Sequence, residues 1–552
     1  MSNALNLRAW PVFAWLLAGV AFAITAWLVP VNLKSVTPPL LREAGAGTLS
    51  VAQLGRQLVD AEKPGPAAFA LATARGVADP GATLLASALD QAQKRQPELV
   101  PWGGWDPFLD PLFNLKENTG RHASTPVLAF FITAKARSDL RAYLANSRSQ
   151  GVQQLLRLRG LDRTGRFVPA SRPGGQTLDA IVLLTALLYQ GEHFSAPLQR
   201  ELRGLADTAV QQQELGGLEP VFLDLLSLGR RLNWIQLCEL LRVTDSVKTI
   251  SEFAQLARAT PDDLPLMYSA ALLSDSADGV ATYLLRYGRA GVADLKFALS
   301  FGEGAVSQLL LRQVPINRQA APSFGPVTVV ALVYPRLALA AKYLGFLLGA
   351  FCLFRGLENM LFAPSGNSSL PRLKSGVLAV LTAGILILAT EPFLINPAPP
   401  SEFQLKLSVP VLANLSDPAS LTHKEPTLTM DTTTLLSIGF FALLQIGMYL
   451  LCLAKMREID LQRIPSLLKL RLMENEENLF DGGLYIGIAG TAAALVLQVL
   501  KVIEPNLLAA YSSNLFGITC VAMVKIRHVR PFKRRLILES QVVAESEKPA
   551  GV

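Results

Sequence analysis

The sequence predicts an all-α chain, a polytopic helical membrane protein of about six spans with a large helical, solenoid-like extracytoplasmic domain. Three observations lead there. The 552 residues are 51% hydrophobic and only 17% charged, with mean hydropathy +0.34, a balance too apolar for an ordinary soluble chain of this length. The apolar residues gather into one early block and a crowded C-terminal part. Between them lies a region of mixed composition in which apolar residues recur at three and four, punctuated by Gly, Pro, Asp and Asn.

Taken in order, six windows are long and apolar enough to cross a hydrocarbon layer of roughly 30 Å as helices. They are Trp10 to Pro30, Leu337 to Phe354, Gly376 to Ile395, Leu435 to Ala454, Leu484 to Val502 and Leu507 to Val524. Ala21-Phe22-Ala23 resembles a signal cleavage site, but the apolar run continues to Pro30, so residues 1–30 read as an uncleaved anchor. Residues 31–325 then form the outer domain, 326–395 hold spans two and three, 396–434 an outer loop, 435–535 spans four to six with their basic end, and 536–552 a tail.

Orientation follows from Lys and Arg beside the spans. Lys525, Arg527, Arg530, Lys533, Arg534 and Arg535 make the densest basic cluster and belong on the cytoplasmic side. Lys455, Arg457, Arg463, Lys469 and Arg471 fall on the same side, as do Arg355, Arg372 and Lys374, while 396–434 carries only Lys406 and Lys424. Both termini are therefore expected in the cytoplasm and residues 31–325 outside, in a plasma (inner) membrane. The net charge of +8 sits largely at the inner face, where it meets anionic lipid, and no nucleic-acid module is present. Of the four cysteines only Cys238 is in the outer domain, so no disulfide framework is expected there.

Within the outer domain the periodicity predicts helices at Ile181 to Tyr189, Leu218 to Leu228, Asn233 to Leu241, Ile250 to Leu256 and Leu264 to Leu273. An echo at Gly279-Val280-Ala281, Gly291-Val292-Ala293 and Gly304-Ala305-Val306 has each copy opening a short helix. Stacked helix pairs in a bundle or solenoid-like array are the reading. The Gly-, Pro- and Arg-rich stretch Arg159 to Gln176 is a candidate internal boundary, giving subdomains at 49–157 and 177–313.

Chemistry is sparse. No GxxxxGK[ST], HExxH or CxxC occurs, and His122, His193, His423 and His528 are scattered, so no metal site, cofactor or catalytic residue is assigned and an enzyme is not expected. In Trp102-Gly-Gly-Trp105-Asp106-Pro-Phe-Leu-Asp110-Pro the two carboxylates could flank a ligand, but each Asp precedes Pro and reads better as a turn with aromatic packing. Trp102 and Trp105 are the candidates for touching a partner or the membrane surface. Glu192-His193 reads as a solvated loop beside a helix. Lys342 and Glu391, near the outer ends of their spans, are expected to snorkel. Gln445, Thr491, Gln498, Ser513, Asn514 and Thr519 are the deep polar groups, and none is charged.

The last two windows carry small residues at a spacing of four: Gly483, Gly487 and Thr491, with Gly490 beside them, and then Ser513 and Gly517. Such rows let backbones approach closely, so a helix-packing face is expected, with an ion path as the functional alternative. A span ending in a basic stretch (Leu435 to Arg471), a small-residue span with Gly490-Thr491, and a Ser/Thr/Gly span running into a basic tail resemble the MotA/TolQ/ExbB family of ion-driven motor subunits. The resemblance covers about the last 120 residues. It implies a homo-oligomer around a single-span partner that supplies the ion-carrying Asp. The functional expectation is a non-enzymatic envelope protein whose outer domain binds a partner or ligand and whose spans anchor or relay that event. The alternative is a subunit of an ion-driven, energy-transducing complex.

Overall fold

The computed structural model describes residues 3–113, 115, 123–320, 323, 325–361, 370–394, 401–403, 432–499 and 507–546. Among these the chain is helical throughout, without a strand; two isolated bridges, Val31 with Val36 and Arg163 with Glu214, are the extended pairings. It divides into two compact units. The first comprises Met1–Pro39, Asn317–Pro397 and Ser420–Val552, and the second Leu40–Ile316 with Ala398–Ala419.

In the second unit the helices begin where side chains can satisfy their free amides. Ser50 accepts from the Gln53 amide while Gln53 returns a bond to the Ser50 amide, and Asn233 and Gln236 repeat the reciprocal pair. Ser195, Ser246 and Ser276 cap three further helices. Predicted helices appear with small shifts, as Gln176–Gln190, Leu218–Gly229, Trp234–Arg242, Val247–Ala259 and Leu264–Leu273. Helix Gln176–Gln190 is the core element, buried at every position from Leu178 to Leu188. Neighbours in sequence pack on one another: 51–60, 64–76 and 82–95 form one set, 264–273 lies on 64–76 and on 277–299, and 277–299 lies on 303–312.

The glycine echo ends differently from its expectation. Gly279 and Gly291 lie inside one helix, Ala277–Leu299, and what divides that helix is Gly288, whose φ of 57° and ψ of −136° exclude most side chains. Gly304 does stand at the start of its own helix, Glu303–Arg312. The stretch Arg159 to Gln176 is packed, with Leu161, Thr164 and Phe167 buried and Arg159 bound to Asp179.

The first unit contains the apolar windows, as helices Asn3–Trp27, Pro335–Leu361, Leu370–Thr390, Thr432–Leu461, Gly482–Val499 and Leu507–Met523. Among the described residues one of them, over Pro335–Met360 with hydropathy 1.9, is long and apolar enough by itself to cross a membrane; Val12–Trp27 and Ser375–Thr390 are shorter apolar helices. Its first two helices meet through glycine. A Cβ on Gly19 would stand 2.8 Å from the Leu353 amide nitrogen and 2.9 Å from Gly349 O, and one on Gly349 would stand 2.9 Å from the Ala23 nitrogen. Gly345 and Gly356 continue that row against Ala26 and Leu16. Ala23 is thus a packing residue of the first helix.

Candidate functional site

The densest set of buried polar groups in the first unit lies where the chain leaves the first helix. Residues 31–37 turn back on themselves through the Val31–Val36 bridge, and Thr37 Oγ1 donates to Pro30 O at 2.6 Å. That turn exposes main-chain groups to the ends of two helices. Lys342 Nζ donates to Val31 O at 3.0 Å and to Asn32 Oδ1 at 2.6 Å. Glu391 accepts from the Leu33 amide at 2.9 Å and from the Tyr343 hydroxyl at 2.6 Å. Lys342 is 2% exposed and Glu391 0%, so neither snorkels: the 31–37 turn comes to them and supplies neutral partners where solvent was expected.

The site also holds the point where the second unit's main segment ends. Asn317 donates from its amide to Val36 O at 2.8 Å and from Nδ2 to Thr390 O at 3.4 Å. The chain departs from the first unit after Pro39 and rejoins it at Asn317, and both ends are held by the same few residues. Beside them is a cavity of about 90 Å³ lined by Trp27, Asn32, Thr37, Asn317, Lys342 and Thr390 among others. Chemically this is a clamp: an ammonium and a carboxylate, each stabilised by neutral donors and acceptors, fix a turn onto two helices.

The small-residue rows at the other end of the chain are brought together. A Cβ on Gly487 would lie 3.0 Å from Ser513 O, one on Gly490 2.5 Å from Ser513 Oγ, and one on Gly517 2.5 Å from Gly483 O. Thr491 Oγ1 and Ser513 Oγ both donate to Gly487 O, at 3.0 and 3.4 Å. Gln445 Nε2 from helix Thr432–Leu461 donates to Gly483 O at 3.0 Å. Gly483, Gly487, Gly490, Thr491, Ser513 and Gly517 therefore form one contact surface. Residues 500–506, which join the last two apolar windows, and the side chain of Gln498 lie outside the described residues.

In the second unit, Trp102 does not reach a surface. It is fully buried and stacked on Phe130 with ring centres 3.7 Å apart, because the turn that follows it closes over an aromatic core. Trp105 is 38% exposed. The Asp residues act as the turn reading requires: Asp106 accepts from the Phe108 amide and Asp110 from the Leu115 amide. What sequence spacing did not reveal is the rest of Asp106's surroundings. Trp234 Nε1 donates to Asp106 Oδ2 at 2.6 Å, and His193 Nε2 stands 3.1 Å from the same oxygen, off the line of an ideal bond. His193 is thus buried, where a solvated loop was expected.

Cys238 joins this pair, with the three potential ligand atoms within 4.8 Å of one another. The donor set reads as structural. Arg242 Nη2 lies 3.1 Å from His193 Nδ1, and a guanidinium can only donate, so Nδ1 accepts and the proton sits on Nε2, facing Asp106. Burial pushes the Cys238 thiol well above its ordinary value. A second buried carboxylate, Asp179, collects Arg137, Arg141 and Arg159. Burial alone would raise its pKa, but the bonds from Arg141, Arg159 and Arg137 outweigh it and hold the carboxyl below 3.8.

No family model matches the chain, and neither the curated proteins nor the solved structures contain a match to it.

Proposed function

We propose that the chain is a non-enzymatic integral membrane protein of the cell envelope, anchored by the helices of its first unit, with its second unit outside the membrane as a partner-binding domain. The observation that carries this is where large apolar side chains face outward. Among the described residues 39 large apolar side chains are exposed, and 32 of them belong to the first unit against seven in the second. Phe13, Leu17, Leu337, Leu348 and Ile385 point away from their own unit while Lys342, Glu391, Gln445 and Ser513 are buried inside it. A surface of that kind is stable against lipid and not against water.

The clamp gives the relay its physical form. A force or a binding event that moves Thr37 or Asn317 reaches the partners of Lys342 and Glu391 through the 31–37 turn, to which Thr37 belongs and Asn317 is bonded at Val36 O. The motor-subunit reading rests on Gly490, Thr491, Ser513 and Gly517; both hydroxyls are turned onto Gly487 O, which favours the packing role for these residues. A homo-oligomer or a single-span partner belongs to that second reading, and native mass spectrometry of the purified chain tests it.

The test of the main reading is labelling from outside. Ser87→Cys in the second unit and Arg534→Cys at the basic end are made separately, the four native cysteines being buried. In intact spheroplasts a membrane-impermeant maleimide should label Ser87→Cys, and should label Arg534→Cys only after permeabilisation. The reverse order overturns the orientation. Release of the wild-type chain by alkaline carbonate overturns the membrane reading itself.

A further inference from the structure

The helix that ends the described chain, Arg530–Ser546, continues a π-helical turn at Val524–Val529. One side of this segment is spent on packing: Val529 and Leu536 are buried, and Phe532 packs on the cluster that includes Met456 and Met473. An ordinary amphipathic helix would keep its opposite side polar. Here Ile526 and Leu538 are 62% and 54% exposed, and between them at steps of four stand Arg530 and Arg534. Pro531, Arg535 and Glu539 complete the lining of a shallow groove of about 510 Å³.

The charges of that groove are unevenly matched. Glu539 is its one carboxylate, and it is engaged by Arg535 at 2.8 Å. Among the described residues no carboxylate lies within salt-bridge reach of Arg530 or Arg534. Two unneutralised guanidiniums flanked along the same stripe by exposed aliphatic side chains call for a ligand that is anionic at one end and hydrocarbon beside it. A free phosphate uses the arginines and leaves Ile526 and Leu538 in water; a phospholipid uses both.

We propose that the stripe Ile526, Arg530, Arg534, Leu538 binds an anionic phospholipid, its phosphodiester between the two arginines and an acyl chain against the aliphatic residues. This rests on the membrane reading above, which puts the stripe at the inner leaflet beside the last span, where anionic headgroups attract juxtamembrane cations. It adds a specified ligand and two specificity-determining residues.

The test uses the full chain in mild detergent, titrated with dioleoyl phosphatidylglycerol, with dioleoyl phosphatidylcholine, or with inorganic phosphate, and bound lipid counted by native mass spectrometry. The wild type should retain phosphatidylglycerol at roughly 10- to 30-fold lower concentration than phosphatidylcholine, and Arg530→Gln/Arg534→Gln should lose most of that preference. Both arginines are exposed, so the variant should keep the wild-type helix content, which circular dichroism checks. Leu538→Gln should weaken phosphatidylglycerol binding while leaving any binding of phosphate unchanged. Equal retention of the two lipids by the wild type, or an unaltered preference in the double variant, overturns the proposal. So does displacement of the lipid by phosphate at a comparable concentration, which would make the groove a simple anion site. In those cases the chain still resists carbonate extraction; its release by carbonate would instead bring down the membrane reading and this proposal with it.

Discussion

The two units use the same alphabet in opposite directions. In the second, helix Gln176–Gln190 is apolar and sealed from Leu178 to Leu188, and the charged groups gather at edges or around buried carboxylates such as Asp179. In the first, helix Pro335–Leu361 is similarly apolar yet presents Leu337, Leu344 and Leu348 outward and hides Lys342. Composition alone does not separate these helices, because hydropathy counts residues without saying which way they face. The difference teaches that the direction in which apolar side chains face, and not their number, separates the two units, and the proposed membrane placement of the first unit rests on it.

The largest effect expected from breaking this comparison is at Asp179. Asp179→Ala leaves Arg137, Arg141 and Arg159 facing one another without their shared carboxylate, and should cost the second unit about 3–5 kcal/mol, read as a fall in its denaturation midpoint. A midpoint within error of wild type would mean that the arginines relax into solvent. Next is a matched pair of outward-facing leucines: Leu348→Arg should cost about 2.5–3.5 kcal/mol of membrane insertion, while Leu84→Arg in the second unit should change stability by no more than about 0.5 kcal/mol. Equal effects in a glycosylation-mapped insertion assay and a thermal melt would erase the distinction between the units.

Tyr343→Phe sharpens the view of the clamp. It removes a donor to the fully buried Glu391, and should destabilise the first unit by about 1.5–3 kcal/mol in a detergent melt, with the second unit's transition unmoved. The acid limb gives a smaller and sign-specific effect. Asp179 and Asp106 both have folded pKa values below 3.8; for Asp106, burial is outweighed by His193, Trp234 and the Phe108 amide. Such groups stabilise fully above the unfolded value and lose that contribution as pH falls through the lower folded value. The second unit's midpoint should therefore be insensitive to these groups near neutrality and fall below about pH 4, less steeply in Asp179→Asn. Smallest of all is Thr491→Val: with its hydroxyl bonded to its own helix at Gly487 O, the exchange should shift the melt by under about 0.5 kcal/mol and leave any ion flux unchanged. A loss of flux would revive the ion-path alternative.

Much of the second unit was legible because its signals are local. Leu264–Leu273 appears at its expected bounds, and Asn233 marks a helix start that its own side chain makes. The contacts of Gly487 and Gly517 were legible from their spacing as well. Gly345 and Gly349 carried the same four-residue signal, with Gly356 seven residues further on, and pass unnoticed amid a longer apolar run, although the packing of Gly349 on Gly19 is as close. Lys342 and Glu391 could not be read at all in this way. Their partners, Val31, Asn32 and Leu33, lie more than three hundred residues away, and a lysine near the end of an apolar run looks the same whether it reaches water or a returning turn. His193 failed for a like reason, since Asp106 and Trp234 meet it only through the fold.

The bond from the Asn317 amide to Val36 O has an architectural consequence. A segment of nearly three hundred residues that begins and ends at hydrogen-bonded neighbours is, in its topology, a graft between the helices on either side, although the second unit also takes in Ala398–Ala419, whose Ser401 bonds to Leu284 O. Closing Thr37 onto Asn317 with a short glycine linker should leave the clamp and its helices intact, which makes the first unit a chassis and the long segment its interchangeable cargo.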